Sequence, residues 1–123
     1  MIGQLLQSLA QLLGFGTAVR GQPLRQEQRY VVEIFDDRAA ASMAAKRTGV
    51  AALVRGGHGY KWMLFTCPCG CKQQIALNMM RSHSPRWRVE VRSRNLFTVH
   101  PSVDSTTCGA HFWLRDGRVI WCE

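Results

Sequence analysis

Five cysteines and one histidine are the residues of this chain whose types and spacing point most directly to chemistry. Three cysteines stand within residues 67–71, and Cys108 precedes His111 by three positions. Cysteines as close as the first three do not easily form disulfides with one another, so metal binding is the better interpretation. Thiolates combined with imidazole select zinc over magnesium or calcium. The sequence therefore predicts a Zn²⁺ site whose candidate ligands are Cys67, Cys69, Cys71, Cys108 and His111.

The pattern leaves the role and the exact ligands of this zinc open. An extended segment would point all three clustered cysteines to one side, whereas a bend at Pro68 and Gly70 would present two and turn the third inward. Cys67 and Cys122 are typical of buried thiols. Four protein ligands would make the zinc structural, and three would leave a position for a reactive water. A hydrolytic site would also need a general base, and the candidates are Glu33, Asp36, Asp37, Glu90 and Asp104.

A second cluster of charged residues lies between the two halves of this metal pattern. Arginines at 86, 88, 92 and 94 alternate with apolar or small residues, and Glu90 interrupts the basic series. This alternation predicts a strand with a mostly cationic face. The face is either a solvated outer surface or a stripe that binds nucleic-acid phosphates. The candidate nucleic-acid-binding residues are Arg86, Arg88, Arg92 and Arg94.

Periodicity predicts the elements that position these residues. Apolar residues spaced by three and four over 2–13 indicate an amphipathic helix within residues 1–16, which packs on its own core, on a second copy in a homo-oligomer, or on a partner. Residues 17–28 are predicted to be a linker, and residues 29–123 a single zinc-binding domain. An alanine-rich helix is predicted after Asp36 or Asp37, ending near Gly49. The predicted strands cover 30–35, 50–54, 60–65, 74–77, 87–91, 96–99, 111–114 and 118–121.

These elements predict an α+β fold: a small, mostly antiparallel sheet with zinc-binding loops, the N-terminal amphipathic helix and the alanine-rich helix. With 123 residues, the chain has room for one domain. The apolar stretch 2–15 is interrupted by polar residues and resembles neither a membrane span nor a signal peptide, so we expect a cytoplasmic protein that does not enter the membrane. The net charge of +8 favours an anionic partner.

The chain also resembles a known family through a series of motifs in a fixed order. These motifs are Cys67-Pro68-Cys69-Gly70-Cys71, Trp87, Pro101-Ser102-Val103, Cys108-x-x-His111-Phe112-Trp113-Leu114 and Gly117-Arg118-Val119-Ile120-Trp121. Together they resemble the bacterial domain-of-unknown-function family 6527 over residues 60–122. The resemblance implies a small metal-binding domain encoded beside bacterial ubiquitin-like proteins and their activating and conjugating enzymes, in some cases within phage-defence islands.

Position by position, the resemblance implies particular roles. It supports Cys108 and His111 as metal ligands together with Cys69 and Cys71, and it makes Cys67 a competing member of the cluster. Ser102 matches a serine in the family's Pro-Ser-Ile turn. Lys72 and Gln73 stand where relatives tend to carry glycine and glutamate, so a reaction that needs that acid would be lost in this chain.

Three functional hypotheses follow. The leading one is a zinc-binding accessory protein of a bacterial ubiquitin-like conjugation pathway, whose partner is the ubiquitin-like protein or its conjugation enzymes. In that role, zinc either holds a binding surface together or activates water in a peptidase that processes or removes the ubiquitin-like protein. The second is a basic zinc module that binds nucleic acid, and the third is a non-catalytic, zinc-stabilised interaction protein.

Overall fold

The computed structural model describes residues 27–122, and this part of the chain is mostly β-structure. The predicted α+β class is therefore wrong, because a single short helix accompanies eight strands in these residues. The predicted helix within 1–16 lies outside the described residues. The elements are β1 (Val31–Phe35), α1 (Arg38–Ala44), β2 (Val50–Gly56), β3 (Gly59–Thr66), β4 (Gln74–Asn78), β5 (Arg88–Ser93), β6 (Leu96–Asp104), β7 (His111–Arg115) and β8 (Arg118–Trp121).

The strands form two four-stranded sheets instead of the one predicted. Their orders are β1-β2-β3-β4 and β5-β6-β7-β8. The β1–β2 pair is parallel, and every other pair in these two sheets is antiparallel. Local alternation of apolar and polar residues indicates where strands lie, but it does not specify which strands share a sheet. The single-sheet prediction failed on this point.

The alanine-rich segment forms a helix that is much shorter than predicted. Asp37 caps it, because its carboxylate accepts a hydrogen bond from Ala40 N at 2.9 Å. The helix ends at Ala44, before the predicted end near Gly49, and Met43 stays 64% exposed. Its buried face consists of small alanines, so packing stabilises only a short segment. In the described residues, no helix has the length and apolarity that a membrane crossing requires.

Side chains of both sheets meet in one apolar core. Phe65 of β3, Phe97 of β6 and Phe112 of β7 are fully buried. Phe65 and Phe112 pack edge to face with 6.2 Å between ring centroids, and Phe65 contacts Tyr30 in the same manner at 5.3 Å. Phe112 directly follows His111 along β7, so the core determines the position of the strand on which His111 lies.

The turn between β7 and β8 leads to a stability prediction. As predicted for a tight hairpin, Asp116 and Gly117 have positive φ values of 51° and 75°. Gly117 also has backbone hydrogen bonds with Phe97 and Tyr30, both of 2.8 Å. A Cβ at position 117 would collide with the carbonyl oxygen of Asn95. We expect Gly117→Ala to lower the free energy of unfolding by roughly 1 to 3 kcal/mol in urea denaturation.

Gly57→Ala is the matched control, because a Cβ at Gly57 would meet no heavy atom within 4 Å. Its free energy of unfolding should stay close to that of the parent protein. Equal stability of the two variants would contradict the close packing around Gly117.

Candidate active site and metal centre

The loop between β3 and β4 carries the clustered cysteines. Its backbone closes on itself through a hydrogen bond from Cys67 N to Gln73 O of 2.8 Å. Gly70 and Lys72 adopt positive φ values of 95° and 68°, which lets the chain reverse direction within a few residues. Gln28 anchors the loop from outside, because its Nε2 donates to Pro68 O at 2.8 Å. The Cys67–Gln73 bond thus joins the two ends of the loop, and Gln28 fixes its backbone at Pro68.

Four cysteine sulfurs converge on one point. Cys67, Cys69, Cys71 and Cys108 have Sγ atoms that all lie within 4.8 Å of one another. The Cys67–Cys69 sulfur distance is 3.4 Å, and each of these sulfurs lies 3.7 Å from that of Cys108. A tetrahedron with Zn–S bonds of about 2.3 Å has edges of about 3.8 Å. No disulfide joins these four thiols, so the group fits a metal ion with four soft ligands.

The thiols of this group differ in their surroundings. Burial raises the pKa of the Cys67 thiol. A hydrogen bond between Cys108 Sγ and Ser105 Oγ, with 3.4 Å between the atoms, instead lowers the pKa of Cys108 to about 6. Because the thiolate is the form that binds metals, Cys108 is already prepared to be a ligand at neutral pH, whereas Cys67 would release its proton on binding.

A serine and a histidine form a hydrogen-bonded pair next to the metal group. Ser102 Oγ lies 3.0 Å from His111 Nε2, and both side chains are half-buried. Ser102 lies near the end of β6 and His111 begins β7. The peptide group of Ser102 is held as well, because Trp87 Nε1 donates to Ser102 O at 3.2 Å. A serine hydroxyl within hydrogen-bond distance of an imidazole nitrogen is the arrangement that activates serine as a nucleophile.

The pairing of β6 with β7 explains how these side chains meet. Val103 lies opposite Phe112, and both are buried. Alternation along each strand therefore places Ser102 and Asp104 on the outer face of β6, with His111 on the outer face of β7. Asp104 is the direct partner of His111 in the register. The register shifts between Val99 and Val103, so β6 carries extra residues relative to β7 just before Ser102.

A cleft of about 830 Å³ is lined both by His111 of this pair and by cysteines of the metal group, and we call it the histidine cleft. Its lining includes Cys69, Cys108, Asp104, His111 and Trp121. Cys108 lies in the connection between β6 and β7, and His111 follows directly after this connection as the first residue of β7. Within the connection, Gly109 N donates to Ser105 O at 2.8 Å. A metal bound by the cysteines would therefore hold in place the loop from which His111 emerges.

The structure brings together four of the five predicted metal ligands. His111 lies outside the cysteine group found in residues 27–122, and its Nε2 faces Ser102 instead. All three clustered cysteines face the common point, in spite of the bend at Gly70. Cys122 stands apart from this group, and it lines the histidine cleft.

A family model described as bacterial ubiquitination-like system serine protease (BubE) matches residues 35–122. The chain belongs to this family. The BubE match confirms the association with a ubiquitin-like system. It begins at residue 35 instead of 60, so it includes α1 and β2 but only the last residue of β1. Membership of family 6527 in particular stays a prediction. No curated protein and no solved structure gives a significant match.

The sequence alone assigns no catalytic role to Ser102. Its only signal was the match of Pro101-Ser102 to a family turn, since no Gly-x-Ser-x-Gly motif surrounds this serine. The partner histidine stands nine positions later, on the next strand. A pair joined across two strands has no local spacing rule, so only the register of β6 and β7 reveals it.

The predicted basic strand exists as β5, and the structure separates its arginines. Arg88 and Arg86 line a second cleft together with Trp87. Arg92 is exposed farther along β5, and Arg94 lies 3.6 Å from Glu33 in an ion pair. The four arginines therefore do not form one uniform stripe, and nucleic-acid binding stays a prediction.

Proposed function

We propose that this chain is a serine protease of a bacterial ubiquitination-like system, with Ser102 as nucleophile and His111 as general base. The observation that supports this function is the 3.0 Å contact between Ser102 Oγ and His111 Nε2. The family's description as a serine protease agrees with it. The proposal replaces the zinc-activated water considered from the sequence, because a serine–histidine pair supplies a nucleophile without a metal-bound water.

The pair can carry out both halves of peptide-bond hydrolysis. Ser102 Oγ attacks the carbonyl carbon of the substrate while His111 Nε2 takes the hydroxyl proton. The C–N bond then breaks, the amine leaves with the proton from His111, and an acyl ester on Ser102 remains. A water molecule, deprotonated by His111, attacks this ester and releases the carboxylic acid and free Ser102. Asp104 is the register partner of His111, and we propose that its carboxylate orients the imidazole and stabilises the charged form.

We assign the metal group a structural role and zinc as its ion. Four thiolates from Cys67, Cys69, Cys71 and Cys108 would hold the zinc and would leave no position for a reactive water. When bound, zinc supplies a crosslink between the β3–β4 loop and the β6–β7 connection. That crosslink would hold the beginning of β7, and with it His111, next to Ser102. Because the four cysteines would bind the zinc, the His111 imidazole would remain available as a base.

The substrate we propose is the ubiquitin-like protein of the same system, either as a precursor or in a conjugate. The full chain should be mixed with this ubiquitin-like protein bearing a short C-terminal extension, and intact-mass measurements should follow the reaction. We expect a single cut that separates the extension from the folded domain. A substrate that stays intact in the presence of zinc-loaded protein would refute the protease.

The variant His111→Ala distinguishes the two roles predicted for this histidine. We expect it to abolish cleavage, because Ser102 loses its base, and to retain one zinc per chain in elemental analysis. A variant that loses zinc along with activity would show that His111 is a metal ligand.

A further inference from the structure

A second cleft, of about 860 Å³, lies away from the cysteine group, and we call it the basic cleft. It is bordered by the turn between β2 and β3, the segment that follows β4, and the beginning of β5. Among the described residues that line it, Glu90 is the one carboxylate. The lining also includes four exposed cations: Lys61, Arg81, Arg86 and Arg88.

Within the described part of the chain, no carboxylate forms an ion pair with these cations. In residues 27–122, the ion pairs involve arginines 29, 47, 55, 94 and 118, and none includes a cation of the basic cleft. Arg55, for comparison, binds Asp36 at 2.8 Å. A concave surface with several unpaired charges of one sign attracts ligands of the opposite sign. The basic cleft is therefore suited to an anionic ligand.

The basic cleft adjoins the proposed nucleophile. Trp87 lines the cleft, and its indole nitrogen donates to the carbonyl oxygen of Ser102 at 3.2 Å. Arg88 lies opposite His100 in the register of β5 and β6, two positions before Ser102 on β6. A ligand in the cleft would consequently contact side chains that border the backbone of Ser102.

The edge of β5 provides a second means of recognition. Among the strands of residues 27–122, β5 is the outermost of its sheet and pairs with β6 alone. Backbone bonds join Trp87 N to Asn78 O and Val32 N to Arg94 O, so the open stretch runs over 88–93. An open edge presents alternating N–H donors and C=O acceptors, which an extended polypeptide matches with its own backbone. Phosphates of nucleic acids offer acceptors alone, so the edge favours a polypeptide.

We propose that the basic cleft and the open edge of β5 bind an extended acidic segment of the protein substrate. This inference rests on the serine protease function proposed above and gives the chemistry of the substrate that function would use. Carboxylates of the segment would meet Arg81 and Arg88, while its backbone lies along β5.

The test is fluorescence polarisation with a labelled peptide that alternates glutamate and threonine. The full chain carries Ser102→Ala, so that cleavage does not interfere. We expect saturable binding at low salt that weakens as salt is added, and no binding of a peptide that alternates lysine and threonine. In this background, the double variant Arg81→Ala, Arg88→Ala should raise the Kd roughly tenfold, since each exposed charge contributes up to about 1 kcal/mol.

Arg115→Ala is the matched control, because Arg115 is an exposed arginine of β7 that lies outside both the basic cleft and the edge of β5. It should change the Kd by less than about twofold. Unchanged binding in the double variant would overturn the inference. Tighter binding of a labelled DNA duplex than of the acidic peptide, with equal dependence on Arg88 and Arg92, would also overturn it in favour of a phosphate stripe.

The wild-type cleavage assay separates this inference from the protease proposal. Cleavage of the ubiquitin-like protein without arginine-dependent peptide binding would remove the acidic-segment inference alone. Arginine-dependent peptide binding without any cleavage would remove the protease alone and support the basic cleft as a site for acidic polypeptides.

Discussion

Ser102→Ala is expected to reduce kcat for cleavage of the ubiquitin-like protein at least about a thousandfold, because the attacking oxygen is gone and the remaining groups cannot form the acyl ester. The fold should persist. Ser102 is half-buried near the end of β6, and its hydroxyl forms a hydrogen bond with His111. The Trp87 indole donates to the backbone carbonyl of Ser102, and this bond does not depend on the side chain that the variant removes. The measurement is kcat from intact-mass time courses, with the melting temperature recorded for each variant.

Ser84→Ala serves as the control for this variant, because Ser84 is an exposed serine outside β5, the histidine cleft and the basic cleft. It should cleave at the parent rate. A serine-directed fluorophosphonate probe adds a second readout, since it should label the parent protein at Ser102 and leave Ser102→Ala unlabelled. Cleavage by Ser102→Ala at more than about a tenth of the parent rate would rule out Ser102 as the nucleophile.

Removal of the metal is expected to have the second large effect, on stability. Zinc would join the β3–β4 loop to the β6–β7 connection, segments that lie far apart in the chain. Because metal binding stabilises only the folded state, we expect chelation to lower the free energy of unfolding by at least about 3 kcal/mol. For a domain of this size, that change lowers the melting temperature by roughly 10 to 20 °C. Scanning calorimetry with and without chelator measures it.

Two cysteine variants make this experiment specific to the metal group. Cys67→Ser removes a ligand whose sulfur lies 3.4 Å from that of Cys69, and it should lose zinc and much of the stability gained from it. Cys122→Ser is the control, because Cys122 lies outside the cysteine group, and it should retain zinc and the parent melting temperature. Equal zinc content in both variants would contradict the four-cysteine site.

Loss of cleavage after chelation does not distinguish a structural from a catalytic metal, since His111 depends on the same connection as Cys108. Replacement of zinc by cadmium does distinguish them. Cadmium accepts four thiolates, so a structural site should preserve both stability and cleavage. A metal that activates water would instead change the rate of cleavage with the identity of the ion.

Much of the local structure of this chain follows from its sequence. The predicted strands over 50–54, 60–65 and 96–99 lie within β2, β3 and β6, and the Asp116-Gly117 turn closes the predicted hairpin. Strands and turns are encoded by neighbouring residues, through alternation of apolar side chains and through the backbone freedom of glycine. The residue types and close spacing of the clustered cysteines likewise predict a metal-binding loop.

The errors of prediction concern contacts between distant residues. The helix α1 is short because the sheet buries little of its surface. The strands form two sheets that pack on each other, and this packing buries Phe65, Phe97 and Phe112 in one core. Periodicity contains no information about either, because it describes one segment at a time.

The same reason explains why the candidate active site was read incompletely. The spacing between Cys108 and His111 predicts that His111 is a metal ligand, and nothing along the chain joins His111 to Ser102. The register of β6 and β7 brings the hydroxyl and the imidazole to 3.0 Å on one face, while Val103 and Phe112 point into the core. Residue types thus specify the available chemistry, and long-range strand pairing selects which side chains act together, because register depends on packing across the whole sheet.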